Sequence, residues 1–214
     1  MSHHRPQNKK EELFNGLSHG MGLLILLICM PLLYSAAMEY KQGNYLWTLL
    51  PFFTGITMTY SSSTIYHFTP RGKNKDLWRI VDHISIFFLI GGTYTPIIMQ
   101  YIDAPVNTIF LSIMWSIILL GTILKFWWTG KYDNLSTGLY VFLGWMVLFV
   151  IWPLWKNAPS EVLWWILAGG IAYSVGIYFY KNSKPHFYHV IWHLLVLLGT
   201  ISHLVAIYLA FSSQ

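Results

Sequence analysis

The chain of 214 residues is 55% hydrophobic and only 10% charged, against about 25% charged in an ordinary soluble domain. Its 13 Lys and Arg and 8 Asp and Glu are too few to coat a globule of 24.9 kDa, and the mean hydropathy of +0.49 agrees. These values exclude a soluble enzyme, a disordered chain and a disulfide-stapled secreted domain. The single cysteine, Cys29, sits in an apolar run without a second thiol, so disulfides and cysteine-based metal sites are excluded too.

A bilayer core about 30 Å thick needs roughly 20 apolar residues in a helix. Apolar runs predict seven spans in chain order, at about 16–38, 45–66, 79–101, 106–124, 135–153, 162–180 and 187–211. Residues 1–14 precede them as a polar tail. The first run ends in Ser35-Ala36-Ala37, which is signal-like, but its long polar leader favours a retained membrane helix. Turn formers mark the connections, among them Gln42-Gly43-Asn44, Pro70-Arg71-Gly72, Asn157-Ala158-Pro159 and Asn182-Ser183-Lys184-Pro185. The expected fold is an all-α, seven-transmembrane helix bundle with nothing left for a second domain.

Orientation follows from Lys and Arg in the short loops. With the amino terminus inside, the inner segments hold Arg5, Lys9, Lys10, Arg71, Lys73, Lys75, Arg79, Lys125, Lys131, Lys181 and Lys184, and the outer ones only Lys41 and Lys156. The asymmetry predicts a cytoplasmic amino terminus and an external carboxyl terminus. It accounts for the net charge of +5, so nucleic acid is not expected as a partner. Trp47, Trp78, Trp127, Trp128, Trp152, Trp155, Trp164 and Trp165 fall near span ends, as an aromatic belt would.

Polar residues inside the spans carry the chemistry. Asp82 is the one acidic residue within an expected span. His3 and His4 belong to the tail and His186 to a loop; His19, His67, His83, His189, His193 and His203 lie in or at the ends of spans. The topology brings His67, Asp82, His189, His193, His19 and Asn15 to one depth in the inner leaflet. His189 and His193 are i, i+4, the spacing by which one helix offers two imidazoles to a metal ion. Ser63 and His67 share that spacing. Three neutral histidines with one open position form the catalytic rather than the structural pattern of zinc. Zinc is preferred among metals that take imidazole. The alternative is a set of hydrogen-bonded helical histidines. Asp82 is placed as base or orienter and Ser63 as hydrogen-bond donor. Glu12, Asn15 and His19 form an i, i+3, i+7 stripe expected to lock the first helix against the site. His203 is about 15 Å beyond His193, too deep for the same ion, and reads as a packed, hydrogen-bonded histidine. Gly91-Gly92 and Gly169-Gly170 read as close-packing positions.

Three blocks carry a family likeness: Glu11-Glu12-x-x-Asn15-x-x-x-His19-Gly20; Ser61-Ser62-Ser63-Thr64-x-Tyr66-His67 with Asp82-His83 and Gly92-Thr93-Tyr94-Thr95-Pro96; and Tyr188-His189-x-x-Trp192-His193 followed by His203. In these blocks the chain resembles the haemolysin III group of the progestin and adipoQ receptor family. The likeness runs over essentially the whole chain, with spans four to six matching mainly in hydropathy. It implies a seven-helix bundle with an inner amino terminus. By similarity to adiponectin receptors it implies a zinc ion held at His67, His189 and His193, with Asp82 and Ser63 beside it. By similarity to alkaline ceramidases it implies hydrolysis of lipid amides. The long cytoplasmic domain of the animal receptors has no counterpart here, so no peptide-hormone ligand is expected.

Three functions therefore compete: a zinc-dependent hydrolase of lipid amides or esters in the cell membrane, a pore-forming cytolysin, and a non-catalytic sensor of membrane state with structural zinc. Membrane lipids are the expected partners.

Overall fold

A computed structural model describes residues 7–212, so His3, His4 and Arg5 lie outside the described part. The described chain is helical and has no strand. Its helices are α1 (Lys9–Glu39), α2 (Leu49–Phe68), α3 (Lys73–Tyr101), α4 (Val106–Trp128), α5 (Asp133–Gly144), α6 (Ile151–Asn157), α7 (Ser160–Lys181) and α8 (Tyr188–Ser212). Among the described residues, six helical stretches are long and apolar enough to cross a membrane, with α5 and α6 counted as one, Asp133–Asn157. Helix α2 is long enough at 20 residues but is not one of the six. Thr54, Thr57, Thr59, Ser61, Ser62, Ser63 and Thr64 dilute its apolar character. Those hydroxyls face inward in part: Thr59, Ser62 and Ser63 are buried.

The first helix starts earlier than its hydropathy, at Lys9. Asn8 caps it: its side chain accepts from the Glu11 amide at 2.9 Å, and the Asn8 amide donates to the Glu11 carboxylate at 3.0 Å. This capping box satisfies otherwise orphaned amides. It also makes Glu11 and Glu12 part of the helix rather than of a tail.

The helices pack in series. Helix α1 lies between α2 and α8, α2 lies against α3, α3 against α4, and α7 against α8. Helices α2 and α3 meet backbone to backbone, because a Cβ on Gly55 would sit 2.6 Å from the Phe88 carbonyl oxygen. Gly92 faces the Pro51–Phe52 backbone in the same way. The outer surface is apolar: Ile28 and Phe149 are each 73% exposed, with Leu24, Leu32, Leu120 and Trp152 also turned outward. A soluble monomer rarely presents apolar surface so continuously, whereas lipid tails accept it.

Two departures from the expected spans have local causes. The fifth span is not one helix: α5 stops at Gly144, a 3-10 segment runs Met146–Val150, and α6 resumes at Ile151. Pro153 lacks an amide and tolerates only the first turn of a new helix. Tyr94 repairs the break, donating its hydroxyl to the Gly144 carbonyl at 2.7 Å and accepting from the Val147 amide at 2.9 Å. Helix α4 continues past the expected end at Leu124 to Trp128. Lys125, read as a loop charge, is therefore buried at 1% exposure, with its ammonium 5.3 Å from the Tyr140 ring centre.

In lipid an unpaired backbone group finds no water. Tyr94→Phe should destabilise the protein by about 1–3 kcal/mol, read as a lowered thermal unfolding midpoint in detergent, while retaining helical content by circular dichroism.

Candidate metal centre

The ends of α1, α2, α3 and α8 meet at one end of the bundle. His67, at the last turn of α2, reaches His189 and His193 on the first turns of α8. Ring centres are 5.5 Å apart for His67–His189, 4.9 Å for His67–His193 and 4.8 Å for His189–His193. One ligand atom from each of the three lies within 4.8 Å of the other two, close enough to hold a metal ion.

The hydrogen bonds around the rings decide which nitrogens face inward. His67 Nδ1 lies 2.7 Å from Glu12 Oε2. A carboxylate accepts, so Nδ1 donates and Nε2 is left as a lone pair. That Nε2 is buried and has no hydrogen-bond partner among the described residues. Orphaned buried nitrogens are rare in folded proteins, and a cation would satisfy this one. His193 Nδ1 donates in the same way to the Asn15 carbonyl at 3.3 Å, with Ser18 Oγ at 3.4 Å. His193 Nε2 is thereby left available. The donor set, all imidazole with two rings held through their other nitrogens, fits a zinc-type site.

Glu12 is itself held. Its second oxygen accepts from Lys75 Nζ at 3.0 Å, and Lys75 also donates to the Tyr66 carbonyl at 3.0 Å. Lys75 thus ties the α2–α3 turn to the carboxylate that orients His67. Glu11, one residue earlier, reaches the other side: its carboxylate accepts from the Phe187 amide at 2.9 Å. Phe187 has φ +64, a left-handed conformation that costs a non-glycine residue about 1–2 kcal/mol. The buried Glu11 carboxylate holds it there and fixes where α8 begins. Neither Glu11 nor Lys75 stands among the site residues expected from the sequence. The Asn8-x-x-Glu11 capping spacing is a readable signal for the first; Lys75 has no local signal.

The other polar residues take separate places. His19 stacks on His193, with ring centres 3.7 Å apart and planes at 24°, and lies 4.9 Å from Tyr60. It is not one of the three grouped nitrogen donors. Both its ring nitrogens are buried without a hydrogen-bond partner among the described residues. Asn15 is buried, and its amide nitrogen donates to Gln7 Oε1. Ser63 is buried with its hydroxyl directed at the Asp82 carboxylate. His83 Nδ1 donates to the Arg79 carbonyl at 2.7 Å. His203 stands apart, its ring stacked on Tyr173 at 5.6 Å.

A cavity of about 590 Å³ opens beside the imidazoles. His189, His193, Asp82, Ser63 and His19 line it at one end. Away from them its walls are largely apolar, including Leu89, Ile97, Leu148, Leu163 and Ile166. Its size and lining match a small-molecule site that is mostly apolar with a few convergent polar groups.

Removing the Glu12 carboxylate frees His67 to rotate. Glu12→Ala should weaken metal binding about 10–100-fold, measured by competition with a chromogenic chelator on purified protein; an unchanged affinity means that the contact does not orient His67.

Comparison with known proteins agrees with this architecture. Residues 7–204 match the family described as haemolysin-III related. The chain is 34% identical over 191 residues to the hemolysin-3 homolog of Bacillus subtilis (strain 168), an alignment covering 89% of this chain and 90% of the relative. It is 32% identical over 191 residues to hemolysin-3 of Bacillus cereus, covering 89% and 87%. With six long apolar helices, an apolar exterior and a match across nearly its whole length, the chain belongs to the haemolysin III family of multi-pass membrane proteins.

Proposed function

We propose that the protein is a zinc-dependent hydrolase of lipid amides or esters, a seven-span protein of the cell membrane with its amino terminus in the cytoplasm. The observation that carries the reading is the three-imidazole group, two of whose members, His189 and His193, line a largely apolar cavity that Asp82 and Ser63 also line. Two further features support the topology. Arg71, Lys73, Lys75, Arg79, Lys125, Lys131, Lys181 and Lys184 cluster toward the histidine end, with Lys156 toward the other, the bias of an inward-facing surface. Helix α2 packs as an integral member of the bundle between α1 and α3, which supports counting it as the seventh span.

His67, His189 and His193 would hold the ion, which when bound supplies Lewis acidity, polarising a carbonyl and activating water. Glu12 and the Asn15 carbonyl fix the rings of His67 and His193. Asp82 takes the proton of the attacking water and returns it to the leaving amine or alcohol. Ser63 positions the Asp82 carboxylate through its hydroxyl. The apolar walls hold the acyl chain and keep bulk water from the reacting carbonyl. The scissile bond then lies near the level of the headgroups, with the acyl chain directed along the cavity.

The names of the relatives favour a second reading, a cytolysin that forms pores. The apolar cavity lining speaks for a lipid occupant rather than a water-filled channel.

The test is metal content and turnover of labelled ceramides and glycerolipids in detergent. Wild-type protein should bind one zinc ion and release fatty acid. His193→Ala should lose both, and Asp82→Asn should keep the zinc while turnover falls about 10²–10⁴-fold. Zinc without turnover of any lipid class ends the hydrolase reading and leaves the metal as a clamp between α2 and α8. Liposome leakage indifferent to His193→Ala supports the cytolysin instead.

A further inference from the structure

His203, in the wall of the cavity, is left unused by this chemistry. Along α8 the residues His189, His193, Val196, Thr200 and His203 share one stripe, and His203 lies about 15 Å of helical rise beyond His193. Between them Thr200 is fully engaged. Its Oγ1 accepts from the Tyr60 hydroxyl at 2.8 Å, lies 2.9 Å from the Tyr173 hydroxyl, and donates to the Val196 carbonyl at 3.0 Å. His203 is not engaged. It is only 9% exposed, lines the same cavity as His189 and His193, and makes no hydrogen bond among the described residues. This differs from the hydrogen-bonded histidine expected from the sequence.

The ring is nevertheless held in a fixed place. Tyr173 stacks on it at 5.6 Å with planes at 24°. Gly169 makes room for it, since a Cβ there would sit 2.6 Å from Nε2. A buried imidazole without partners is destabilising, and this one would be relieved by a group entering the cavity. An imidazole offers both a donor and an acceptor, which matches a hydroxyl better than an ester or a charged group.

We propose that the cavity selects an acyl chain carrying a mid-chain hydroxyl, which His203 binds while the chain's carbonyl end lies at His67, His189 and His193. The proposal rests on the reading that an acyl chain occupies the cavity. His203 then determines which lipid is held and takes no part in bond cleavage.

The experiment measures binding of radiolabelled octadecanoate, and of octadecanoate with a hydroxyl at its twelfth carbon, to the zinc-loaded protein in nanodiscs. Wild-type protein should bind the hydroxylated chain about fivefold more tightly, the value of one neutral hydrogen bond. His203→Phe should abolish that preference with the affinity for plain octadecanoate unchanged, and His203→Asn, which keeps a donor and an acceptor, should retain part of it. Equal affinities in wild type, or a preference surviving in His203→Phe, overturn the proposal while leaving acyl occupancy intact. Failure of both acids to bind overturns acyl occupancy and the proposal with it.

Discussion

Burying three imidazoles side by side is possible only if each inward nitrogen has a partner and each outward nitrogen is spoken for. The bundle meets the second demand through α1. Glu12 takes Nδ1 of His67 and the Asn15 carbonyl takes Nδ1 of His193, so a helix with no ligand of its own fixes ligands on two others. The first demand is the one that leaves His67 Nε2 buried and bare. A cation is the simplest group that answers it, and the packing of α1 between α2 and α8 follows from holding those rings in place.

The polar interior is consequently segregated. At one end of the bundle lie Glu11, Glu12, Lys75, Asp82 and the imidazoles; farther along, Tyr60, Tyr173 and Thr200 close on one another. Between and beyond these the packing is apolar, from Leu26 and Phe52 to Ile207 and Phe211. Such segregation suits a membrane, whose hydrocarbon core offers polar groups no water.

Much of this is legible in the sequence. Helical content follows from long apolar runs between turn formers. The topology puts His67 at the depth of His189 and His193, and the family resemblance, not the topology, names those three as one ligand set. The features that escape the sequence depend on distant partners. The break at Gly144 is stable because Tyr94, on another helix, supplies a donor and an acceptor. Lys125 resembles a loop charge because hydropathy falls at that residue, whereas the helix runs on and turns it inward beside Tyr140. Helix α2 carries enough hydroxyls to fall below the apolarity of its neighbours, because it is shielded on both sides by α1 and α3. The capping spacing marks Glu11 as part of α1 but not its hold on Phe187, far along the chain, in a left-handed turn.

Glu11 and Glu12 are adjacent in sequence yet serve different helices, one latching the entry to α8 and the other the exit of α2. Their division of labour depends on helical phase. A single residue inserted between Glu12 and Asn15 would rotate everything before it by about 100° relative to the remainder of the helix, parting the carboxylates from their targets while the Asn15 carbonyl stayed with His193. The first turns of α1 are therefore constrained in length as well as in side chain, because a one-residue indel there displaces both carboxylates at once.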